Sequence, residues 1–340
     1  MNARRAMAAA ATAAAAVMVA GCSGSVRLSG AIEGEVTPTT SVVAPKPPTC
    51  TAEQAALDAT RSYEPQGPLP SPNAMPASST MAAIHDRGKL IVGVSGDTLL
   101  FGARNTLTNQ IEGFDIDMLK EVAKAIFGAD GESHITYKVI TYADRLPNLE
   151  AGPDNGGVDI VAHTMTINCN RWLRIAFSSE YFDAGQRVLV KKGSGYTSIG
   201  DLNTAKATVC APEGSTNIDL LRKNVDNLYG DLVVLAKPDV TDCLVAMQQG
   251  QADGATGDDT VLAGLAAQDP NTEVVGPKFT SEPYGLGMAK DKIDFVQFVN
   301  GVIEAMRTDG RWKAIYSKWL TGVLSDTVID PPPAIYGRDG

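Results

Sequence analysis

The sequence predicts an α/β protein. Between about residues 81 and 322, short apolar runs of strand length alternate with segments whose apolar residues recur at helical spacing. The 340 residues are 44% hydrophobic and 20% charged, which suits a globular chain with a sizeable core and leaves room for two domains. The only long apolar run lies at the extreme N-terminus and the mean hydropathy is −0.05, so a polytopic membrane protein is excluded.

The elements follow in order. Leu90–Val94 is a short buried strand. Gly113–Phe127 is an amphipathic helix, because Phe114, Met118, Val122 and Ile126 recur every four residues. Ile135–Ile140 is a strand, Arg145–Ala151 a short helix, and Val158–Val161 and Arg187–Lys191 are strands. The rhythm restarts with strand Ala207–Cys210 and helix Ser215–Val225. Strand Leu232–Leu235, helix Val240–Gln249, strand Asp253–Thr256 and helix Asp259–Ala267 follow. Strand Tyr284–Met288 precedes two closing helices, Phe295–Arg307 and Trp312–Leu320. Such βα units imply largely parallel sheets covered on both faces, with ligands at the carboxyl ends of strands. Residues 51–63 carry a weak helical pattern. Residues 64–80 and the tail after Asp330 are rich in Pro and irregular.

Charge and chemistry narrow the function. With 29 Lys+Arg against 39 Asp+Glu the formal charge is −10, which argues against nucleic-acid binding. Three histidines and no Cys/His ligand spacing argue against zinc. No Ser-His-Asp or Cys-His pattern is visible. His85 and His134 read as loop residues and His163 as a strand end, structural rather than catalytic. No enzyme, cofactor or metal is expected.

Residues 1–21 read as a signal peptide, with Arg4 and Arg5 before an Ala/Val/Met stretch. Val19-Ala20-Gly21-Cys22 resembles a bacterial lipobox, which implies lipidation of Cys22 and a stable membrane anchor on the extracytoplasmic face. Residues 22–84 would then be tether and N-terminal extension, with Ser, Thr, Pro and Gly over 23–49. Four cysteines remain, Cys50, Cys169, Cys210 and Cys243. An even number outside the membrane suggests two disulfides, with three pairings open.

The segment from Gly113 to Ile126 (GFDIDMLKEVAKAI) is similar, position by position, to the signature of family 3 extracellular solute-binding proteins, the polar amino-acid components of ABC importers. Asp115 and Asp117 lie near a helix start, where negative charge is favourable, so this segment marks the fold rather than the pocket. Further similarities are Thr141–Pro147, Thr164–Arg171, Phe177-Ser178, Pro212–Asn217, Ala252–Asp259, Glu282–Gly287 and Lys318–Leu320, in family order over about 85–322. The long N-terminal extension and Pro-rich tail resemble the mycobacterial glutamine-binding lipoprotein type.

The resemblance implies a two-lobe periplasmic-binding-protein (type II) fold with the ligand in the cleft. Lobe 1 would be 85–189 plus 281–322, lobe 2 would be 190–280, and 323–340 a C-terminal tail. Hinges would fall near Lys191–Gly193 and Lys278–Pro283. Cys210 and Cys243 then share lobe 2 and pair, leaving Cys50 with Cys169. Arg171 aligns with the arginine that grips the ligand α-carboxylate, and Ser215 and Thr216 start a helix facing the same group. Asp258 aligns with the acid that pairs with the α-ammonium. Thr164 and Thr166 line the floor, and Phe101 is an apolar wall. Arg145 aligns with an arginine that holds a side-chain carboxylate in glutamate/aspartate binders, since a second buried cation has no obvious job beside a neutral side chain. Those members also carry a His in lobe 2 and an Arg after the first strand, where this chain has Val240 and Ser95. The expected ligand is therefore Glu or Asp, with Asn and Gln left open. The expected partner of this lipid-anchored monomer is an ABC permease or, alternatively, a membrane sensor. The fold also hosts dehydratases and lytic transglycosylases, a remote alternative.

Overall fold

The computed structural model describes residues 50, 51, 54, 58–223, 229–324 and 329–338. The signal peptide, Cys22 and the tether over 23–49 lie outside the described residues, as does the expected helix end at Val225. In chain order the elements are α1 (Thr80–Arg87), β1 (Leu90–Val94), β2 (Asp97–Thr98), β3 (Gly102–Arg104), β4 (Ile111–Glu112), α2 (Phe114–Phe127), β5 (Ile135–Val139), α3 (Arg145–Ala151), β6 (Ile160–Ala162), α4 (Cys169–Trp172), β7 (Ile175–Phe177) and β8 (Phe182–Ala184). Then come β9 (Gln186–Lys191), α5 (Ile199–Thr204), β10 (Thr208–Pro212), α6 (Thr216–Lys223), β11 (Val233–Lys237), α7 (Val240–Gln248), β12 (Gly254–Asp258), α8 (Asp259–Gln268) and β13 (Thr272–Val275). The chain closes with β14 (Glu282–Tyr284), β15 (Gly287–Ala289), α9 (Ile293–Asp309) and α10 (Arg311–Trp319).

Two five-stranded sheets organise two lobes. The first has the order β5-β1-β6-β15-β7 and the second β11-β10-β12-β9-β13. Both are mixed, not largely parallel. In the first, β1 runs parallel to β5 and β6, while β15 is antiparallel to β6 and β7. In the second, β10 runs parallel to β11 and β12, while β9 is antiparallel to β12 and β13. The reason is topological: β9 and β15 are the strands by which the chain enters one lobe from the other, and they insert in the opposite sense.

The entry strands also correct the expected boundaries. Phe182 pairs with Tyr284, Asp183 with Pro283 and Ala184 with Glu282, so β8 and β14 form the ladder that joins the lobes. The first crossover is therefore at 182–185, not at Lys191–Gly193, and the boundary expected at 189/190 falls inside β9. The expected strand Tyr284–Met288 is two strands in two sheets, and His85 sits on α1 rather than in a loop.

Helix α2 shows how sequence builds lobe 1. Its apolar stripe, Phe114, Met118, Val122 and Ile126, is fully buried. Gly113 precedes it at φ +144°, and a Cβ there would stand 2.2 Å from the Phe101 carbonyl oxygen, so only glycine lets the helix start this close to the preceding loop. Asp117 accepts hydrogen bonds from Lys318 Nζ and Trp319 Nε1, both 2.7 Å, and so pins α2 to α10.

Candidate functional site

The site is built where the two lobes meet around the β8–β14 ladder. Arg171 lies on the one-turn helix α4. Asn168 caps that turn, its Oδ1 accepting from the Arg171 N–H at 3.0 Å. The Arg171 guanidinium is buried and donates to Thr166 O at 2.6 Å and to Gly214 O at 3.2 Å. Gly214 belongs to lobe 2, between β10 and α6. Its φ is +79°, and a Cβ there would lie 2.7 Å from Ala143 Cα, so a side chain would push the lobes apart.

Arg145 reaches the same carbonyl. From α3 its Nη2 donates to Gly214 O at 3.0 Å, its Nε to Tyr142 O at 3.0 Å, and its Nη1 to His163 O at 3.0 Å and Thr164 O at 3.5 Å. The buried cation thus has a job independent of any ligand, bracing lobe 1 against lobe 2. Burial, reinforced by the like charge of Arg171, brings the Arg145 guanidinium down to about 9, and burial lowers Arg171 too. Among the described residues neither guanidinium forms an ion pair with a carboxylate.

Thr164 ends the strand stretch of β6 at φ +40°, an unusual conformation for a β-branched residue. Asp115 secures it: Oδ2 accepts the Thr164 N–H at 2.8 Å and Oδ1 accepts the Tyr181 hydroxyl at 2.5 Å. Burial pushes the Asp115 carboxyl up to about 6, against the pull of those two bonds. The aspartate of the helix signature therefore also secures the backbone at Thr164, a residue that is not among those lining the cleft described below. Behind it His163 Nε2 donates to Ile140 O at 3.2 Å, and burial with Arg145 nearby drives it down to about 3, so its ring is neutral.

Thr166 from lobe 1 and Thr216 from lobe 2 converge on one carboxylate that sequence reasoning did not single out, that of Glu282 on β14. Both hydroxyls donate to Oε2 at 2.7 Å, and Thr280 donates to Oε1 at 2.8 Å. Glu282 is 4% exposed. An acid directly before Pro283 reads as a turn signal, and only its apolar surroundings at a crossover hinted at burial.

Asp258 is buried at the end of β12 and is not among the residues lining the cleft described below. Its Oδ1 accepts from Asn217 Nδ2 at 2.8 Å and its Oδ2 from the Tyr284 hydroxyl at 2.7 Å. It occupies the N-cap position of α8, yet its side chain makes no capping bond. Burial, then the neighbouring Glu282, raises its carboxyl to about 7. Ser215 stands at the start of α6, and its hydroxyl is engaged within the chain. Its Oγ donates to Pro212 O at 2.7 Å and accepts the Ile218 N–H at 3.1 Å, so it caps α6. Phe101 is fully buried in an aromatic cluster, 5.5, 5.3 and 5.9 Å from Phe114, Phe182 and Tyr284, so it backs the tyrosine that touches Asp258.

A cleft of about 870 Å³ opens along this seam, lined by Tyr142, Thr166, Arg171, Gly214, Thr216 and Glu282 among others. Its wall also includes the disulfide between Cys50 and Cys169, and a second disulfide joins Cys210 to Cys243 within lobe 2. Among the described residues no group of His, Cys, Asp and Glu is arranged to hold a metal, and no helix is long and apolar enough to cross a membrane.

Similarity to known proteins agrees with this architecture. The chain is 37% identical over 241 residues to the ABC transporter glutamine-binding protein GlnH of Bacillus subtilis, covering 71% of this chain and 84% of that protein. It is 41% identical over 214 residues to a glutamine-binding protein of Geobacillus stearothermophilus, covering 63% and 78%. The crystal structure of a solute receptor for L-cysteine of Neisseria gonorrhoeae superposes with a TM-score of 0.67 at 26% identity, over 74% of this chain and 97% of that one. These relatives are solute-binding proteins, not enzymes, and their two-lobe type II fold is the fold of this chain. Residues 90–322 match the family model itself, and the chain belongs to the bacterial extracellular solute-binding proteins, family 3.

Proposed function

We propose that this protein captures a polar α-amino acid between its lobes, outside the cytoplasm, and presents it to an ABC permease. An amino acid brings one carboxylate and one ammonium, and burying either without a partner costs several kcal/mol. Arg171 supplies the cation for the α-carboxylate, and Thr166 and Thr216 add hydroxyls. Asp258 supplies the anion for the α-ammonium. The anchors lie on different lobes, so a ligand touching both favours closure about β8 and β14. The sequence Val19–Cys22 supports a lipid anchor at Cys22 that would hold the protein at the membrane surface.

The single observation that carries the ligand class is the convergence of two buried guanidiniums, Arg145 and Arg171, on the Gly214 carbonyl, with neither in an ion pair with a carboxylate among the described residues. Two under-compensated cations suit a ligand with two carboxylates, so Glu and Asp lead. A second reading, glutamine, is favoured by the names of the two relatives above, and fits a site in which Arg145 is satisfied by its four carbonyls. A thermal-shift screen against the twenty amino acids separates the two. At ~1,000 times its dissociation constant a ligand adds about 4 kcal/mol to stability. Large shifts with Glu and Asp support the dicarboxylate reading. A shift with Gln alone replaces it, and no shift with any amino acid overturns the function.

A further inference from the structure

We infer that the N-terminal extension, through the Cys50–Cys169 disulfide, is a positioning element for Arg171 and so part of the binding site. The inference rests on the α-carboxylate role proposed for Arg171. Helix α4 has four residues, Cys169–Trp172, too short to hold its own shape without tertiary support. Its internal cap, Asn168, fixes one backbone N–H. Within residues 90–322, the span shared with the family, Arg171 is held by Thr166 O and Gly214 O and Trp172 packs 5.5 Å from Phe177; further support comes from chain outside that span.

That support reaches three of the four residues. Cys169 is bonded to Cys50, with a Cα–Cα distance of 6.1 Å. Asn170 Oδ1 accepts the Cys50 N–H at 2.9 Å. Trp172 donates through Nε1 to Ala59 O at 2.7 Å, and the Arg338 guanidinium lies over its ring at 3.8 Å. The fourth residue is Arg171, which lines the cleft together with Cys169 and Asn170. The gripping segments are themselves joined: Ser62 N–H donates to Ile335 O at 2.8 Å and Arg338 N–H to Ser62 O at 3.1 Å. Ser62 is anchored in turn, its hydroxyl donating to Phe177 O at 2.8 Å. Terminal segments are usually frayed and dispensable. Here they converge on a single turn, and Cys50 itself lines the cleft next to Arg171.

A bidentate grip on a carboxylate needs the guanidinium held to within about half an ångström. Releasing the turn should therefore weaken binding through Arg171 specifically, and not only lower stability. The test uses the full-length chain with Cys50→Ser plus Cys169→Ser, leaving Cys210 and Cys243 intact, and glutamate as the probe in calorimetric titration. The affinity should fall roughly 10-fold, the scale of one impaired charge-assisted hydrogen bond. In an Arg171→Lys background the same pair of changes should move the dissociation constant less than about 2-fold, because the group it acts through is already lost. Arg338→Ala, which removes the cation stacked on Trp172, keeps both disulfides and lies outside the cleft lining, should weaken binding in the same background-dependent way and serves if the double serine chain does not fold. An affinity unchanged in the folded variant, or an equal loss in both backgrounds, overturns the inference. A wild-type chain that binds glutamate, aspartate, asparagine and glutamine not at all instead overturns the functional reading on which it rests.

Discussion

The two lobes are built on the same plan and held by different means. Lobe 1 has one continuous core, rich in aromatic rings: Phe114 stands 5.7 Å from Trp312, Trp312 5.4 Å from Tyr316, and Phe182 6.3 Å from Tyr316. Lobe 2 has two smaller aliphatic clusters, one on each face of its sheet. Val188, Val190 and Val209 face one way and Leu189, Cys210 and Ala255 the other, as strand alternation requires. Cys210, on β10, is bonded to Cys243, on α7. Large rings bury the most apolar area per residue and give lobe 1 its rigidity. Lobe 2, with less of that area, has its disulfide inside its own core, whereas the disulfide on lobe 1 joins it to the N-terminal extension. The difference teaches which lobe is the platform. Arg171 and Thr164 sit on the side with the larger aromatic core, whereas Ser215, Thr216 and Asp258 sit on the side with the smaller clusters.

The strongest way to break this asymmetry is to cut the tie in lobe 2. Cys210→Ser with Cys243→Ser should cost about 2–5 kcal/mol, the usual loss for a native disulfide. The loss should fall on lobe 2 alone. Hydrogen exchange should show β10 and α7 losing protection while α2 and α10 keep theirs. Equal loss in both lobes would mean that they unfold as one unit and that the asymmetry has no energetic content.

Acidity sharpens the comparison by a smaller amount. Asp258 is raised to about 7 by burial and then by Glu282, from an ordinary value of 3.8. Between those values the folded chain keeps a proton that the unfolded chain has released. Stability contributed by this group is thus greatest below about pH 4, falls as pH rises toward 7 and is level above it. Ligand binding runs the other way, because an ammonium needs the ionised carboxylate. Glutamate affinity should rise by at most ~10-fold per pH unit from pH 5 and level off near 7, with proton release detectable by calorimetry in buffers of different ionisation enthalpy. A flat profile between pH 5 and 7 would remove Asp258 from the ammonium site.

Much of this was legible beforehand, for physical reasons that also explain the rest. The period-four stripe of Phe114 to Ile126 marks a helix because nothing else buries those four side chains together. Arg171 and Asp258 stood out only through the family resemblance of the segments that carry them, Thr164–Arg171 and Ala252–Asp259. The purpose of Arg145 was not visible, because its partners are backbone carbonyls from Tyr142, His163, Thr164 and Gly214, and a carbonyl has no letter in the sequence. Glu282 was missed for a related reason: its three threonine partners come from three separate segments. The hinge expected near Lys191–Gly193 followed from the lobe boundaries the family resemblance implied. The chain crosses at Phe182–Gly185, where residues 182–184 pair with β14 as a ladder. The apolar run at Tyr284–Met288 hid a break at Gly285-Leu286, where the chain leaves one sheet for another.

The central claim is that Arg171 on the rigid lobe grips the α-carboxylate of an amino acid. The most direct measurement is a calorimetric titration of the wild-type and Arg171→Ala chains with glutamate and with γ-aminobutyrate, which lacks the α-carboxylate. The account predicts that Arg171→Ala costs glutamate about 3 kcal/mol, ~100-fold. It also predicts that γ-aminobutyrate binds the wild type as weakly as glutamate binds the variant, and that the variant makes γ-aminobutyrate no worse. A dissociation constant for glutamate that stays within about threefold of wild type in Arg171→Ala would contradict it.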